Sequence, residues 1–295
     1  MTRSGFVALA GRPNVGKSTL VNAMVGRKVA IVSDKPQTTR RAIRGVVTSA
    51  DFQLVLTDLP GVQRPRDALT ARMQKRVETE LSEADAALFV VNGDQGIGGA
   101  GDRFIAEALS QANLPIVIAV NKTDRMNHTK TVKALVFVTE QLGLPDAEVF
   151  PISARTGKGV PALTEYLASL LPEGPFYFPP EDHSDQPEDV MLAELVREQV
   201  LLRTRQEVPH AVEVQVEEIE ERDNLTTVRA IMWVETESQK GILIGHHGKM
   251  IKSIGTAARK EIERELADHV HLDLSVRVRR SWRADDALLD RLGIT

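Results

Sequence analysis

The 295-residue sequence contains no cysteine. Disulfides, thiolate nucleophiles, cysteine-ligated zinc and iron–sulfur clusters are therefore outside its chemistry, and a reducing compartment suits it. Aromatic residues make up only 4% of the chain, which argues against a broad platform of stacked rings for nucleic acid. No uninterrupted apolar run approaches the ~20 residues of a membrane-spanning helix. Met1-Thr2-Arg3-Ser4 opens onto a short apolar stretch that reaches Gly11 almost at once, so no secretory signal is expected. Positive charge is not in excess either: 37 Lys and Arg stand against 41 Asp and Glu, a net charge of −4. A surface coated in basic residues is excluded, but a local basic patch is not, because nucleic-acid binding depends on where charge sits. What remains is ordinary globular composition, 42% apolar and 26% charged, in a length that predicts about two domains.

The first half alternates strand and helix patterns. Short apolar runs at residues 6–10, 86–91 and 115–120 have the character of strands buried on both faces of a parallel sheet. Two further strands lie within residues 45–57 and another at 148–152, with helical spacing at 18–25, 69–81, 101–112, 129–142 and 160–170. Strands joined by crossover helices imply a three-layer α/β domain with a mostly parallel sheet. A proline- and acid-rich tract then breaks the pattern, and the boundaries expected are 1–172, a linker at 173–188, and 189–295. Phe176, Tyr177 and Phe178 in that linker are expected to dock onto a domain. The second part reads helix, strand, strand, helix, helix, strand. Residues 210–220 place Val212, Val214 and Val216 on one face, and 226–237 return as a hairpin partner across 221–224.

Gly11-Arg12-Pro13-Asn14-Val15-Gly16-Lys17-Ser18-Thr19 carries the phosphate-loop pattern, directly after a strand and directly before a helix. Its glycines let successive backbone N–H groups curl around phosphate oxygens, and the helix N-terminus adds its positive end. Lys17 can reach the β- and γ-phosphates, and Ser18 can ligate Mg²⁺. Asn121-Lys122-Thr123-Asp124 follows the buried strand at 115–120, at the carboxyl edge of the sheet where ligands bind. In that position the tetrad resembles the guanine-reading motif of the translation-factor-like GTPases. The resemblance implies that Asp124 pairs with guanine N1 and N2, that Asn121 supports the loop and contacts the base, and that Ser153-Ala154 supports the base through a backbone N–H. An acceptor-only carboxylate facing two ring donors suits guanine and repels the adenine edge. Asp58-Leu59-Pro60-Gly61 resembles the same class's Asp-x-x-Gly motif, with Asp58 at the Mg²⁺ through water and the Gly61 N–H sensing the γ-phosphate. Thr38 and Thr39 occupy the first switch loop. Thr39 is preferred as the third Mg²⁺-shell residue, and Thr38 remains open. Val62 stands where a Ras-like chain has its water-orienting glutamine, and Gln63 is one place too late. Relatives of this kind use a K⁺ ion held partly by the P-loop asparagine, and Asn14 has the matching position. Lys17, Thr39, Gly61 and Asn14 are thus the expected catalytic set for GTP conversion to GDP.

In the second part, Gly245-His246-His247-Gly248 separates two helical segments. Glycines bounding such a turn let a nucleotide backbone approach closely, as in the GXXG loop of a KH domain. Lys240, Lys249 and Lys252 could neutralise phosphates, and Ile244, Ile251 and Ile254 would line a base groove. Arg277, Arg279, Arg280 and Arg283 form a basic end that is either RNA-facing or a solvated strand edge, and Glu217, Glu218, Glu220 and Glu221 read as a solvated strand end. A P-loop GTPase followed by a type II KH domain resembles the Era family of bacterial GTPases over nearly the whole chain. The resemblance implies binding of small-subunit (16S) ribosomal RNA near its 3′ end during small-subunit assembly, GTP favouring the RNA-competent state, and RNA stimulating hydrolysis. It further implies a monomer in the cytoplasm, peripheral association with the inner membrane and no DNA partner. Leu59 and His246 depart from the family's usual threonine and lysine.

Three rivals have different consequences. A tRNA-modifying GTPase would need folate-binding and helical domains, for which the chain has no room. A passive RNA-binding module with a structural guanine-nucleotide domain would hydrolyse GTP negligibly, an idea to which Val62 gives footing. A metabolic P-loop kinase is disfavoured by Asn121-Lys122-Thr123-Asp124.

Overall fold

Strand β1 (Arg3–Ala10) runs between β3 (Phe52–Asp58) and β4 (Ala86–Asn92) at the centre of a six-stranded sheet. The order is β2-β3-β1-β4-β5-β6, completed by β2 (Ile43–Thr48), β5 (Ile116–Asn121) and β6 (Glu148–Pro151). All neighbours are parallel except β2 and β3. The computed structural model describes residues 2–35, 38–61, 67–222 and 224–294. Every residue of β4 is buried, because helices cover both faces of the sheet, and this is why its sequence is apolar without alternation. One face packs Val7, Leu9, Leu88 and Val90 against α1 (Lys17–Val25) and α5 (Val160–Leu170). The other packs Phe89, Val91, Ile118 and Val120 with Ile105 and Leu109 of α3 (Ala100–Ser110) and Val138 of α4 (His128–Gln141). Helix α2 (Ala68–Glu83) connects β3 to β4. The three-layer α/β expectation holds.

The chain forms two compact units. One comprises Met1–Ala30, Thr39–Arg66 and Thr70–Asp185; the other comprises Ile31–Thr38, Asp67–Leu69 and Gln186–Thr295. The proline-rich tract is ordered along the first unit up to Asp185. The buried Gln53 side chain accepts from the N–H groups of Tyr177 and Phe178 at 2.8 and 2.9 Å and donates to the Phe178 carbonyl at 2.8 Å. Tyr177 also meets the Phe6 ring at 4.9 Å.

The second unit contains α6 (Glu188–Arg203), a short α7 (Val208–Ala211), β7 (Glu213–Arg222), β8 (Leu225–Val234), α8 (Glu237–Ile244), α9 (Lys249–Leu266), β9 (Val270–Val278) and α10 (Asp286–Arg291). Its sheet runs β7-β8-β9, with the first pair antiparallel and the second parallel. This is the helix–strand–strand–helix–helix–strand order expected for a KH fold of type II. Two details correct the sequence reading. Residues 208–211 are helical, so the strand begins at Glu213. A bulge between Val216 and Glu218 shifts the β7–β8 register. That bulge changes which parity faces the core, so Val214 and Val216 are followed by Ile219 on the packed side. Helix α10 and the turn before it were not anticipated. Trp282 there is fully buried and donates to the Ala211 carbonyl at 2.8 Å.

Candidate nucleotide site and nucleic-acid interface

The carboxyl ends of β1, β3 and β5 carry the phosphate loop, the Asp58 loop and the Asn121 loop to one edge of the sheet. Gly16 precedes α1 at φ 101°, a left-handed backbone, and a Cβ there would lie 2.4 Å from Asn121 Nδ2. Glycine is therefore required twice over. The contact exists because Asn121 acts as a bracket. Its Nδ2 donates to the Val15 carbonyl at 2.9 Å, and its Oδ1 accepts from the Lys122 and Ala154 N–H groups at 2.7 and 2.9 Å. One side chain thus ties the phosphate loop to both base-side loops, and here the Ala154 amide is engaged by Asn121. Lys122, at φ 69°, donates from Nζ to the Asn14 carbonyl at 2.6 Å, a second tie between the same loops. Asp124 accepts from Ser153 Oγ at 2.7 Å and pairs with the exposed Arg155 at 3.0 Å. The Ser153 hydrogen bond, with Arg155 helping, holds the Asp124 pKa below the usual carboxylate range. Arg155 was missed by sequence reading, although its place directly after Ser153-Ala154 was the available signal.

Lys17 is buried and donates to the carbonyls of Gly11 and Arg12 at 3.0 and 3.3 Å. Burial lowers its pKa, while Asp58 opposes the shift. Ser18 Oγ donates to Asp58 Oδ2 at 2.6 Å, and Thr39 Oγ1 lies 3.1 Å from Ser18 Oγ and 3.2 Å from Asp58 Oδ2. Asp58 is fully buried, and its Oδ1 has no hydrogen-bond partner. Burial raises its pKa, against Lys17 and the two hydroxyls. Two hydroxyls and a carboxylate with an orphaned oxygen form a hard-oxygen donor set suited to Mg²⁺. Thr38 Oγ1, by contrast, is engaged with Ser33 Oγ and the Lys35 carbonyl, both at 2.7 Å. Gly61 lies against the phosphate loop, where a Cβ would meet Pro13 Cγ at 2.7 Å. Arg12 turns away to the buried Asp102, with Nε 2.7 Å from Oδ1. Asn14 is exposed, at φ 63°. Thr19 lies in the first turn of α1. Val62 and Gln63 lie outside the described residues.

In the second unit, Gly245 (φ 70°, ψ 173°) and Gly248 (φ 73°) bound a single tight turn closed by the Gly248 N–H on the Gly245 carbonyl at 3.1 Å. His246 and His247 are exposed, as are Lys249 and Lys252, while Lys240 is half-buried. Three residues beyond the turn begins a cleft of about 400 Å³ between α9 and β9, lined by Ile251, Lys252, Thr256, Arg259, His271 and Leu274 among others. Ile251 lines it as expected, but Ile254 is fully buried in the core, and Ile244 packs partly against that core. The apolar wall comes instead from Leu272 and Leu274 of β9. The missed signal was Gly255 in mid-helix, where a Cβ would lie 3.4 Å from Leu274 Cδ1. The basic end is largely neutralised: Arg277 pairs with Glu217 at 3.4 Å, Arg279 with Asp285, and Arg283 with Asp67 at 2.6 Å.

Known proteins resemble the chain over its whole length. The 50S ribosome-binding GTPase family matches residues 6–122, and the KH domain family matches residues 207–283. The chain is 45% identical to GTPase Era of Mycobacterium sp. (strain KMS), covering 99% of this chain and 98% of that one. It is 46% identical to GTPase Era of Carboxydothermus hydrogenoformans, again over 99% and 98%. Among solved structures, Era in complex with MgGDPNP and nucleotides 1506–1542 of 16S ribosomal RNA superposes with a TM-score of 0.96 at 32% identity, over 100% of both chains. A variant of Aquifex aeolicus Era bound to GDP·AlF4⁻ superposes at 0.94, also at 32% identity and full coverage.

Proposed function

Because the chain belongs to the Era family of GTPases, we propose that it is a GTP-hydrolysing switch whose second unit binds 16S ribosomal RNA near the 3′ end. In this reading it acts as a monomer in small-subunit assembly, in the cytoplasm with peripheral contact to the membrane, and does not use DNA. Asp124, oriented by Ser153, reads guanine, and Asn121 and Lys122 fix the loop that presents it. Ser18, Thr39 and Asp58 hold Mg²⁺, which neutralises charge on the β- and γ-phosphates when bound. Lys17 exchanges its loop carbonyls for phosphate oxygens, and Gly61, which lies beside Pro13 of the phosphate loop, offers its N–H to the γ-phosphate. Water attacks in line, with charge absorbed by Lys17 and backbone N–H groups. Asn14, which is exposed, would share a K⁺.

The observation that carries the RNA reading is the α9–β9 cleft close to the Gly245–Gly248 turn, where exposed Lys252 and Arg259 border Ile251, Leu272 and Leu274. Bases suit the apolar side chains and phosphates the cations. Phosphate release measured with and without K⁺ and ribosomal RNA tests the switch, and absence of turnover under every condition would refute it. Crosslinking of the full chain to total RNA in GTP and GDP states tests the partner.

A further inference from the structure

Residues 31–35 and 38 group with the second unit, although the chain on either side belongs to the first. Two contacts hold them on α6. The Val32 N–H donates to Glu198 Oε1 at 3.0 Å, and Arg197 Nη2 donates to the Thr38 carbonyl. Arg197 is fully buried. Its guanidinium also grips Glu194, with Nε to Oε1 at 3.0 Å and Nη2 to Oε2 at 2.6 Å, and lies 3.7 Å from Glu213. Burial alone would lower its pKa, but Glu194, Glu213 and the neighbouring Glu198 together hold it above the ordinary arginine value. A buried guanidinium among carboxylates is a weak way to gain stability, since apolar residues of equal volume often do as well. What apolar residues cannot do is hold a particular carbonyl in place. The next peptide bond leads to Thr39, whose hydroxyl lies 3.1 Å from Ser18 and 3.2 Å from Asp58. Consecutive Cα atoms are fixed about 3.8 Å apart, so a displacement of Thr38 is passed to Thr39.

We propose that Arg197 is a positioning residue for Thr39: by fixing the Thr38 carbonyl on α6 it sets the Mg²⁺-shell hydroxyl in place, so that γ-phosphate occupancy and RNA binding by the second unit favour one another. The RNA half of this statement rests on the function proposed above. Linkage makes the effect reciprocal, so that whatever the GTP analogue adds to RNA affinity, RNA adds to affinity for the analogue.

The test uses the full chain without nucleotide, with Mg²⁺-GDP and with Mg²⁺-GDPNP. The RNA probe is a single-stranded copy of the 16S 3′ end. In the wild type, GDPNP is expected to tighten RNA binding about tenfold over GDP, within the usual range of coupling. Arg197→Lys keeps a cation among the carboxylates but loses the planar fork. It should bind RNA normally without nucleotide, bring the GDPNP/GDP ratio of RNA affinities to within about twofold of one, and weaken GDPNP itself about tenfold while sparing GDP. Arg197→Met should do the same. A merely structural role would lower all affinities together. Hydrogen exchange on the wild type gives a readout free of any folding defect: the Val32 amide should slow on adding GDPNP and not on adding GDP. An unchanged nucleotide preference in Arg197→Lys, or equal exchange at Val32 in the two nucleotide states, overturns the proposal. If the wild type binds no RNA in any state, the RNA reading fails, and the GDPNP-over-GDP affinities alone decide the role of Arg197.

Discussion

Replacing Asn121 by alanine separates two roles that the sequence alone assigns jointly: contact with guanine and support of the loops. The side chain makes three hydrogen bonds, to the Val15 carbonyl and to the Lys122 and Ala154 N–H groups, from a position only 2% exposed. At a net value of about 1 kcal/mol each, their loss costs the nucleotide-free chain about 3 kcal/mol, before any penalty for leaving the Val15 carbonyl unsatisfied. For a unit of this size, 1 kcal/mol corresponds to roughly 2–4 °C, so the first unit should melt about 6–12 °C lower. The assay is thermal unfolding of the nucleotide-free protein, followed by GDP titration at a temperature where both forms are folded. A base reader without structural duty would lose GDP affinity and keep its melting temperature. That outcome would refute the bracket.

Asp58→Asn tests the buried carboxylate. Because burial raises the folded-state pKa of Asp58, the stability tied to its proton is fully present below the unfolded pKa and is lost as pH rises through the folded one. In Mg²⁺- and nucleotide-free melts, the variant should therefore gain on the wild type as pH rises from acid to neutral, and it should lose Mg²⁺-dependent GDPNP binding; parallel pH curves would contradict this. In the turn of the second unit, Gly248→Ala meets open space at φ 73° and should weaken RNA binding about tenfold, the equivalent of ~1–2 kcal/mol of left-handed strain. Gly245→Ala also drives a Cβ to 2.7 Å from Met250 Cβ and should be clearly worse in the same binding assay; equal effects would show that local geometry does not govern the turn. Ser153→Ala removes the 2.7 Å hydrogen bond to Asp124 and should reduce GTP-over-ATP preference about tenfold in competition binding, whereas an unchanged preference would mean that Arg155 suffices to orient the carboxylate.

Much of the nucleotide site was legible because its demands are local. The phosphate loop needs Gly16 at φ 101°, Lys17 and Ser18 in consecutive places, and the strand before it must be apolar on both sides. What was not legible depends on partners far away in sequence. The pairings of Arg197 with Thr38 and of Val32 with Glu198 span 159 and 166 residues, and no spacing rule reports them. Arg277 and Arg279 looked like a free basic end because their partners Glu217 and Asp285 belong to other elements. In α9, closeness to the glycine turn suggested that Ile251 and Ile254 share a role. Three residues leave two side chains about 60° apart around a helix, so Ile251 sits at the cleft edge of the apolar stripe while Ile254 joins Ala258 and Ile262 in the core. The bulge at Val216–Glu218 escaped for the opposite reason: it is local, but no glycine marks it.

The interleaving of the two units has a consequence for synthesis. The contact of Val32 with Glu198 waits until 166 further residues have been made. At typical elongation rates that is on the order of ten to thirty seconds. Over that interval Ile31, which ends up buried, has no second unit to enter. A fragment beginning at Gln186 would keep the core of the second unit but lack the contacts of Val32 with Glu198 and of Thr38 with Arg197, which only the amino-terminal end of the chain supplies.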